Sequence, residues 1–263
     1  MGQTKQIVEL KSGHLRLIVR KCESFVYYAT YVAGENNKLR FRKDDIVIDA
    51  GANIGDFTVK AARKVRDGRV IAIEPNPNNV EILKQNIILN KLDNVVVLPY
   101  GLSNVSGLAK LDGDSVDASI MNENENTIEI RTITINDIFK SYCPPDKEIV
   151  LKMDIEGAEE LVFRDPSFLE NVRELSMELH GKDNVTNISQ LLQNLNYKIE
   201  YFSTKDQFKN TVMYIVRHPV SFFYAERKTG FTALKGLKQT LYGNNPVPSI
   251  GSTQIGMIYA RKN

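Results

Sequence analysis

The sequence predicts a Rossmann-like, doubly wound α/β fold with a mostly parallel sheet and an antiparallel C-terminal strand. Three observations carry this. From Asp45 onward, apolar strand-like runs alternate with helical patterns, the signature of a parallel sheet covered by helices on both faces. The run Ile46-Val-Ile-Asp-Ala50 passes through glycines at 51 and 55 directly into a helical pattern. The next apolar run, Arg69–Ile73, ends on an acid, Glu74, one β-α-β unit later.

Residues 1–44 form an extension before this core, with Leu15–Arg20 a plausible strand and Ser24–Tyr31 rich in aromatics. Core strands are expected at 46–50, 69–73, 94–98, 148–153 and 173–179. Asp56–Val65 has the spacing of a short amphipathic helix, ended by Asp67-Gly68. Asn78–Leu89 is a second helix. Pro77 suits its start, and Ile82, Leu83, Ile87 and Leu89 form its buried side. Between 100 and 147 the rhythm breaks: Gly107–Leu111 and Glu129–Ile135 are strand-like and flank the polar loop Asp112–Asn126, expected over the sheet edge or over a site. Late strands at 198–203 and 255–260 suit an antiparallel pair. The expected layout is one domain, 1–263, with a cofactor-binding core at 45–203, an insertion at 204–253, read as a mobile segment, and a last strand at 254–263. The insertion carries aromatics, basic residues and a Gly/Pro/Asn-rich stretch.

Composition excludes several classes. With 42% hydrophobic and 25% charged residues the chain is ordinarily globular. A net charge of +2, from 34 basic and 32 acidic residues, leaves no overall electrostatic footprint for nucleic acid. Cys22 and Cys143 have no metal-site spacing and are too few for a disulfide scaffold. No apolar run approaches the ~18 residues that suggest a membrane span, and the first residues lack the apolar stretch of a signal peptide. A cytoplasmic protein is the expectation, and a homodimer stays open.

The turn Gly51-Ala-Asn53-Ile-Gly55 lets the backbone pass close to a ligand and offers free N–H groups at the following helix start. Glu74 at the end of the next strand can accept both ribose hydroxyls of a nucleoside. Pro75-Asn76-Pro77 stiffens the loop that would face an adenosine. The glycine spacing is not that of a dinucleotide turn, and the acid at Asp56 would repel a pyrophosphate. Asp49 instead puts a carboxylate where a sulfonium or an ammonium would be favoured, while Asn53 can bond a carboxylate. The set favours a methyl-donor nucleoside, S-adenosyl-L-methionine, over a dinucleotide.

A second constellation lies further on. Asp154 ends the fourth core strand, followed by Glu156 and Glu159. Ligands of doubly wound sheets lie beyond the carboxyl ends of the strands, so Asp154 and Asp49 should open onto one crevice. On the next strand Glu178 and His180 are two residues apart and share a face. Such groups could deprotonate an attacking hydroxyl or, with Asp154, hold a divalent cation. A solvent-facing pair at a strand end is the plainer alternative. The catalytic candidates are Asp154, Glu156, Glu178 and His180, and no metal is assigned.

Asp49-Ala-Gly-Ala-Asn-Ile-Gly55, Glu74-Pro-Asn-Pro77 and Leu151-Lys-Met-Asp-Ile-Glu-Gly-Ala-Glu159 together resemble the FkbM family of S-adenosylmethionine-dependent methyltransferases. Tyr100-Gly-Leu-Ser103 and Arg131–Asp137 fit the same layout, so the resemblance spans roughly 44–180. It implies a class I methyltransferase fold and O-methylation of a hydroxyl on a sugar, glycolipid or other small molecule. It also implies that Asp49, Gly51, Asn53 and Gly55 line the methionine part of the cofactor. Glu74 would hold the ribose beside Asn76, and Tyr100, Gly101 and Ser103 would lie near the adenine. The acceptor is expected to be a small molecule or glycan. RNA methylation, helped by the basic stretch Arg227–Lys238, and a non-catalytic cofactor-binding module are the alternatives. Neither 1–43 nor 204–253 has a counterpart in the family, so the acceptor does not transfer with the name.

Overall fold

A computed structural model describes residues 6–112, 127–180, 182–230 and 255–262. The chain opens with the hairpin β1 (Ile7–Ser12) and β2 (Leu15–Arg20), followed by a 3-10 turn, the short α1 (Phe25–Tyr27) and a π-helical stretch, Tyr28–Ala33. The core follows in order: β3 (Ile46–Ala50), α2 (Asp56–Ala62), β4 (Arg69–Ile73), α3 (Pro77–Leu89) and β5 (Val95–Leu98). A small excursion, β6 (Gly101–Leu102), β7 (Gly107–Asp112) and β8 (Thr127–Ile133), precedes α4 (Ile135–Tyr142). Then come β9 (Ile149–Met153), α5 (Glu159–Val162), β10 (Val172–His180), α6 (Lys182–Asn194) and β11 (Tyr197–Tyr201). Helices α7 (Thr204–Arg217) and α8 (Pro219–Thr229) lead towards β12 (Ile255–Lys262).

The main sheet has the order β11-β12-β10-β9-β3-β4-β5. It is parallel except for β12, which runs antiparallel to both β10 and β11. That is the expected class I methyltransferase fold with its antiparallel C-terminal strand. The central strands β3 and β9 are buried along their whole length, because helices cover both faces. Most boundaries agree with the sequence within two residues. The piece expected at Glu129–Ile135 stops at Ile133, because Thr134 caps α4 by accepting from the Asp137 N–H. Apart from Asp112, the polar loop expected at Asp112–Asn126 lies outside the described residues.

The segment expected as an insertion is, over 204–229, a pair of helices. Ser203 and Asp206 form a reciprocal capping box at the start of α7, which satisfies two otherwise orphaned N–H groups. These helices and the N-terminal hairpin share one apolar cluster: Tyr27, Tyr28 and Val32 pack with Tyr214, Phe222 and Ala225, and with Ile54 and Ile82 of the core. The hairpin docks through two helix asparagines. Asn86 of α3 and Asn90, its C-cap, each bond both the N–H and the carbonyl of one β2 residue, Ile18 and Arg16 respectively. Each carboxamide completes a strand edge that would otherwise lack partners.

Candidate active site

The glycine turn is shaped by close approach. Gly51 has φ +74°, and a Cβ there would stand 1.6 Å from the Asp154 carbonyl oxygen, so no side chain fits between β3 and β9. Asn53 is also left-handed, at φ 49°. Its Oδ1 is buried and has no hydrogen-bond partner among the described residues. Glu74 reaches back to this turn and accepts from the Asn53 N–H at 2.8 Å and the Asn76 N–H at 2.9 Å. Burial raises its carboxyl above the usual range, opposed by those N–H donors.

A cleft opens at the carboxyl ends of the strands. Gly51 and Asn53 form one wall, Glu74 and Asn79 a second, and Tyr100 to Leu102 a third; Asp154 to Glu156 close the fourth. Glu156 (φ 51°) and Gly157 (φ 94°) turn the chain sharply after Asp154. Asp154 Oδ1 is buried without a hydrogen-bond partner among the described residues. Two unpaired buried oxygens facing a cleft are costly unless a ligand supplies donors. A nucleoside amino acid offers them in its ammonium and hydroxyl groups, so the residues fit such a cofactor.

Four of the expected cofactor residues stand behind these walls. Asp49 is wholly buried; the Thr58 hydroxyl donates to it, and the Lys152 ammonium lies 3.4 Å away. Asn76 is the N-cap of α3, its Oδ1 accepting from the Asn78 N–H. Gly55 lets α2 and α3 approach, since a Cβ there would stand 2.4 Å from Leu83 Cδ1. Ser103 is buried, its N–H bonded to the Ile133 carbonyl. Asp56, read as hostile to a pyrophosphate, turns to the N-terminal segment, where Thr30 donates to its carboxylate.

Lys152 is the residue that sequence reasoning passed over. It is 8% exposed, donates to the Gly51 carbonyl at 2.7 Å and lies 3.6 Å from Asp154. Its ammonium thus ties the glycine turn to both acids. Burial disfavours its charge, yet Asp49, Asp154, Asp56 and Glu178 together raise its pKa. The signal was present: a lysine inside the apolar strand Ile149–Met153 needs a buried acid, and Asp49 is its register partner on β3. Glu178 shares this face of β10, because Ser176 is the register partner of Lys152. His180 ends the same strand; its side chain lies outside the described residues. Among the described residues no three His, Cys, Asp or Glu side chains stand close enough to hold a metal ion.

A seven-stranded, mostly parallel sheet with a cleft at the carboxyl ends of its strands is the Rossmann-like arrangement of class I methyltransferases. The methyltransferase FkbM domain profile matches residues 49–199, and the chain belongs to that family. Its methyl donor is S-adenosylmethionine. Methyltransferase sdnD of Sordaria araneosa is 27% identical over 211 residues, 66% of this chain and 82% of its own. A tRNA (guanine(37)-N(1))-methyltransferase, Trm5b of Methanocaldococcus jannaschii, is 34% identical over 100 residues, covering 36% of this chain and only 28% of its own. The crystal structure of methyltransferase FkbM from Methylobacillus flagellatus KT superposes with a TM-score of 0.48 at 21% identity, over 68% of this chain and 47% of that one.

Proposed function

We propose that the protein methylates a hydroxyl group on an uncharged small molecule, a sugar or a glycolipid, as a single methyltransferase unit. The cofactor, when bound, supplies a methyl group on a sulfonium with a good leaving group. The chain aligns and sequesters: Glu74 holds the ribose, the Gly51–Asn53 turn and Asp154 hold the methionine end, and Tyr100–Leu102 flank the base. Alignment of this kind removes much of the barrier of a bimolecular displacement.

The observation that carries the choice of acceptor is the charge beside Asp154. Asp154 and Glu156 line the cleft, Glu178 lies on the adjoining face, and among the described residues the cation beside them, Lys152, is already engaged by Asp49 and Asp154. A phosphodiester backbone needs basic side chains that release counterions, and the described residues at this end of the cleft supply acids. The RNA methyltransferases among the relatives favour an RNA acceptor instead, but the aligned stretch is a minor part of those proteins. A methyl-transfer screen with labelled S-adenosylmethionine against sugar, glycolipid and RNA acceptors decides between them. Label on a hydroxyl of an uncharged acceptor supports the reading, and label on RNA alone overturns it. No helix of the described residues is long and apolar enough to cross a membrane.

A further inference from the structure

Six of the thirteen exposed large apolar side chains among the described residues fall within 212–224. They are Val212, Met213 and Val216 of α7 and Val220, Phe223 and Tyr224 of α8. Val216 is 74% exposed and Val220 82%. Each helix turns its other side inward: Tyr214 of α7, and Phe222 and Ala225 of α8, are buried in the cluster shared with the N-terminal hairpin. With about 3.6 residues per turn, the exposed positions of each helix form one continuous arc opposite that buried side. A helix on the surface of a globular protein normally directs polar residues outward. An outward arc this apolar marks a surface with something to meet.

Charge decides what that is. The same two arcs carry Lys209 and Arg217 on α7 and Arg227 and Lys228 on α8, all exposed. Glu226, the only acid between 207 and 230, turns its Oε1 inward, where it is buried. Among the described residues none of these four cations forms an ion pair; Lys228 instead lies 5.6 Å from the centroid of the Tyr224 ring. A second copy of the chain would join through the same patch on both sides, setting these cations against their own kind with no acid between them. A nucleic acid would use the cations, but aliphatic side chains such as Val212, Val216 and Val220 give a base no ring to stack on. An anionic bilayer uses both kinds of side chain: the apolar ones enter the headgroup and acyl boundary, and Lys and Arg stay at headgroup level.

We infer that α7 and α8 form a docking hairpin that lays the protein on an anionic lipid surface. Arg227 and Lys228, the first residues of the basic stretch that the sequence suggested for RNA, serve lipid headgroups instead. The placement suits a surface enzyme. Strands β10 and β11 are both antiparallel to β12, so they run parallel to each other, and α7 leaves the sheet at the strand ends where the cleft opens. Docking favours a glycolipid among the acceptors proposed above. That last step rests on the methyltransferase reading, whereas the docking itself does not.

The chain contains no tryptophan, so Phe223→Trp places a single fluorescent reporter on the docking face. Vesicles of phosphatidylcholine, alone or in equal parts with phosphatidylglycerol, are the probe. The reporter's emission should shift to the blue with the anionic vesicles, and brominated acyl chains should quench it. In co-sedimentation, native protein should bind the anionic vesicles at least about tenfold more tightly than the neutral ones, and Arg227→Gln/Lys228→Gln should weaken that binding about fivefold for each cation removed. Val216→Ser/Val220→Ser keeps every charge and alters only exposed positions, so its thermal stability should be native. Its vesicle binding should nonetheless fall by about tenfold or more. Undiminished vesicle binding in that variant would show a surface for polyanions rather than an inserted hairpin, and overturns the inference. A gel shift with RNA in the absence of vesicle binding overturns it too. So does a concentration-dependent dimer that Val216→Ser/Val220→Ser dissolves, again without vesicle binding. All these variants should bind S-adenosylhomocysteine like native protein. Failure of native protein to bind it overturns the methyltransferase reading and leaves the docking intact.

Discussion

The two sides of the crevice are built differently. The side proposed to hold the cofactor is made within one β-α-β unit and its neighbours: a backbone turn at Gly51–Asn53, one acid 21 residues on, and the strand end at Asp154. Its specificity lies in main-chain shape, fixed where a Cβ would collide with the Asp154 carbonyl. The opposite side is assembled from pieces remote in sequence. Thr30 meets Asp56, Asn36 meets Ser176 140 positions away, and Asn210 holds Ala33 across 177. The first side is thus local in sequence, while the second joins the N-terminal segment to α2, α7 and β10.

Lys152 is the seam between the two, and breaking it should have the largest effect. Lys152→Met leaves Asp49 wholly buried with only Thr58 as a partner. Removing one member of a buried charge pair costs about 3–5 kcal/mol, so the midpoint of urea unfolding should fall steeply. The double variant Lys152→Met/Asp49→Asn should recover much of that loss. No recovery would mean that the bond from Lys152 to the Gly51 carbonyl, rather than the ion pair, holds the seam.

Glu74→Gln should act on the cofactor side alone. It keeps an acceptor for one N–H but removes the charge that would meet two ribose hydroxyls. Hydrogen bonds to charged groups contribute about 1.5–3 kcal/mol each, so S-adenosylhomocysteine should bind about 100-fold more weakly, and the fold should lose about 1–3 kcal/mol because the Asn53 or Asn76 N–H is left without its acceptor. Unchanged affinity in calorimetry would remove Glu74 from the ribose.

This asymmetry also explains what could be read from the sequence. The strands of the core, the glycine turn and Glu74 follow from short-range patterns: apolar runs, punctuation, and one acid at a strand end. Gly51 was legible because close approach forbids a side chain there. Asp49 and Asn76 were legible as important but not in kind, since the same residue types serve as ligand contacts, buried counter-ions and helix caps. Register alone decides that Asp49 faces Lys152. The residues of the N-terminal segment were not legible. Their meaning depends on contacts across more than 100 positions, and Ser24–Tyr31 reads merely as an aromatic-rich stretch until Tyr214, Phe222 and Ala225 are set against it. The helices of 204–229 were passed over because the Gly/Pro/Asn-rich residues beyond them dominate that segment's composition.

The smallest effect gives the sharpest test of whether the two sides are separable. Tyr27 and Tyr214 join their hydroxyls at 2.8 Å beneath the N-terminal segment, and the Tyr27 hydroxyl also donates to the Lys11 carbonyl. Tyr214→Phe therefore removes the bond to Tyr27 and the one the Tyr214 hydroxyl shares with Ser12, without stranding Tyr27, and should destabilise the fold by about 1–2 kcal/mol. The aromatic packing is kept, so the segment should stay docked, and affinity for S-adenosylhomocysteine should match that of the native protein within about twofold. A tenfold loss of cofactor affinity in this variant would show instead that the segment shapes the donor cleft as well, and that the crevice is one cooperative unit rather than two sides joined at Lys152.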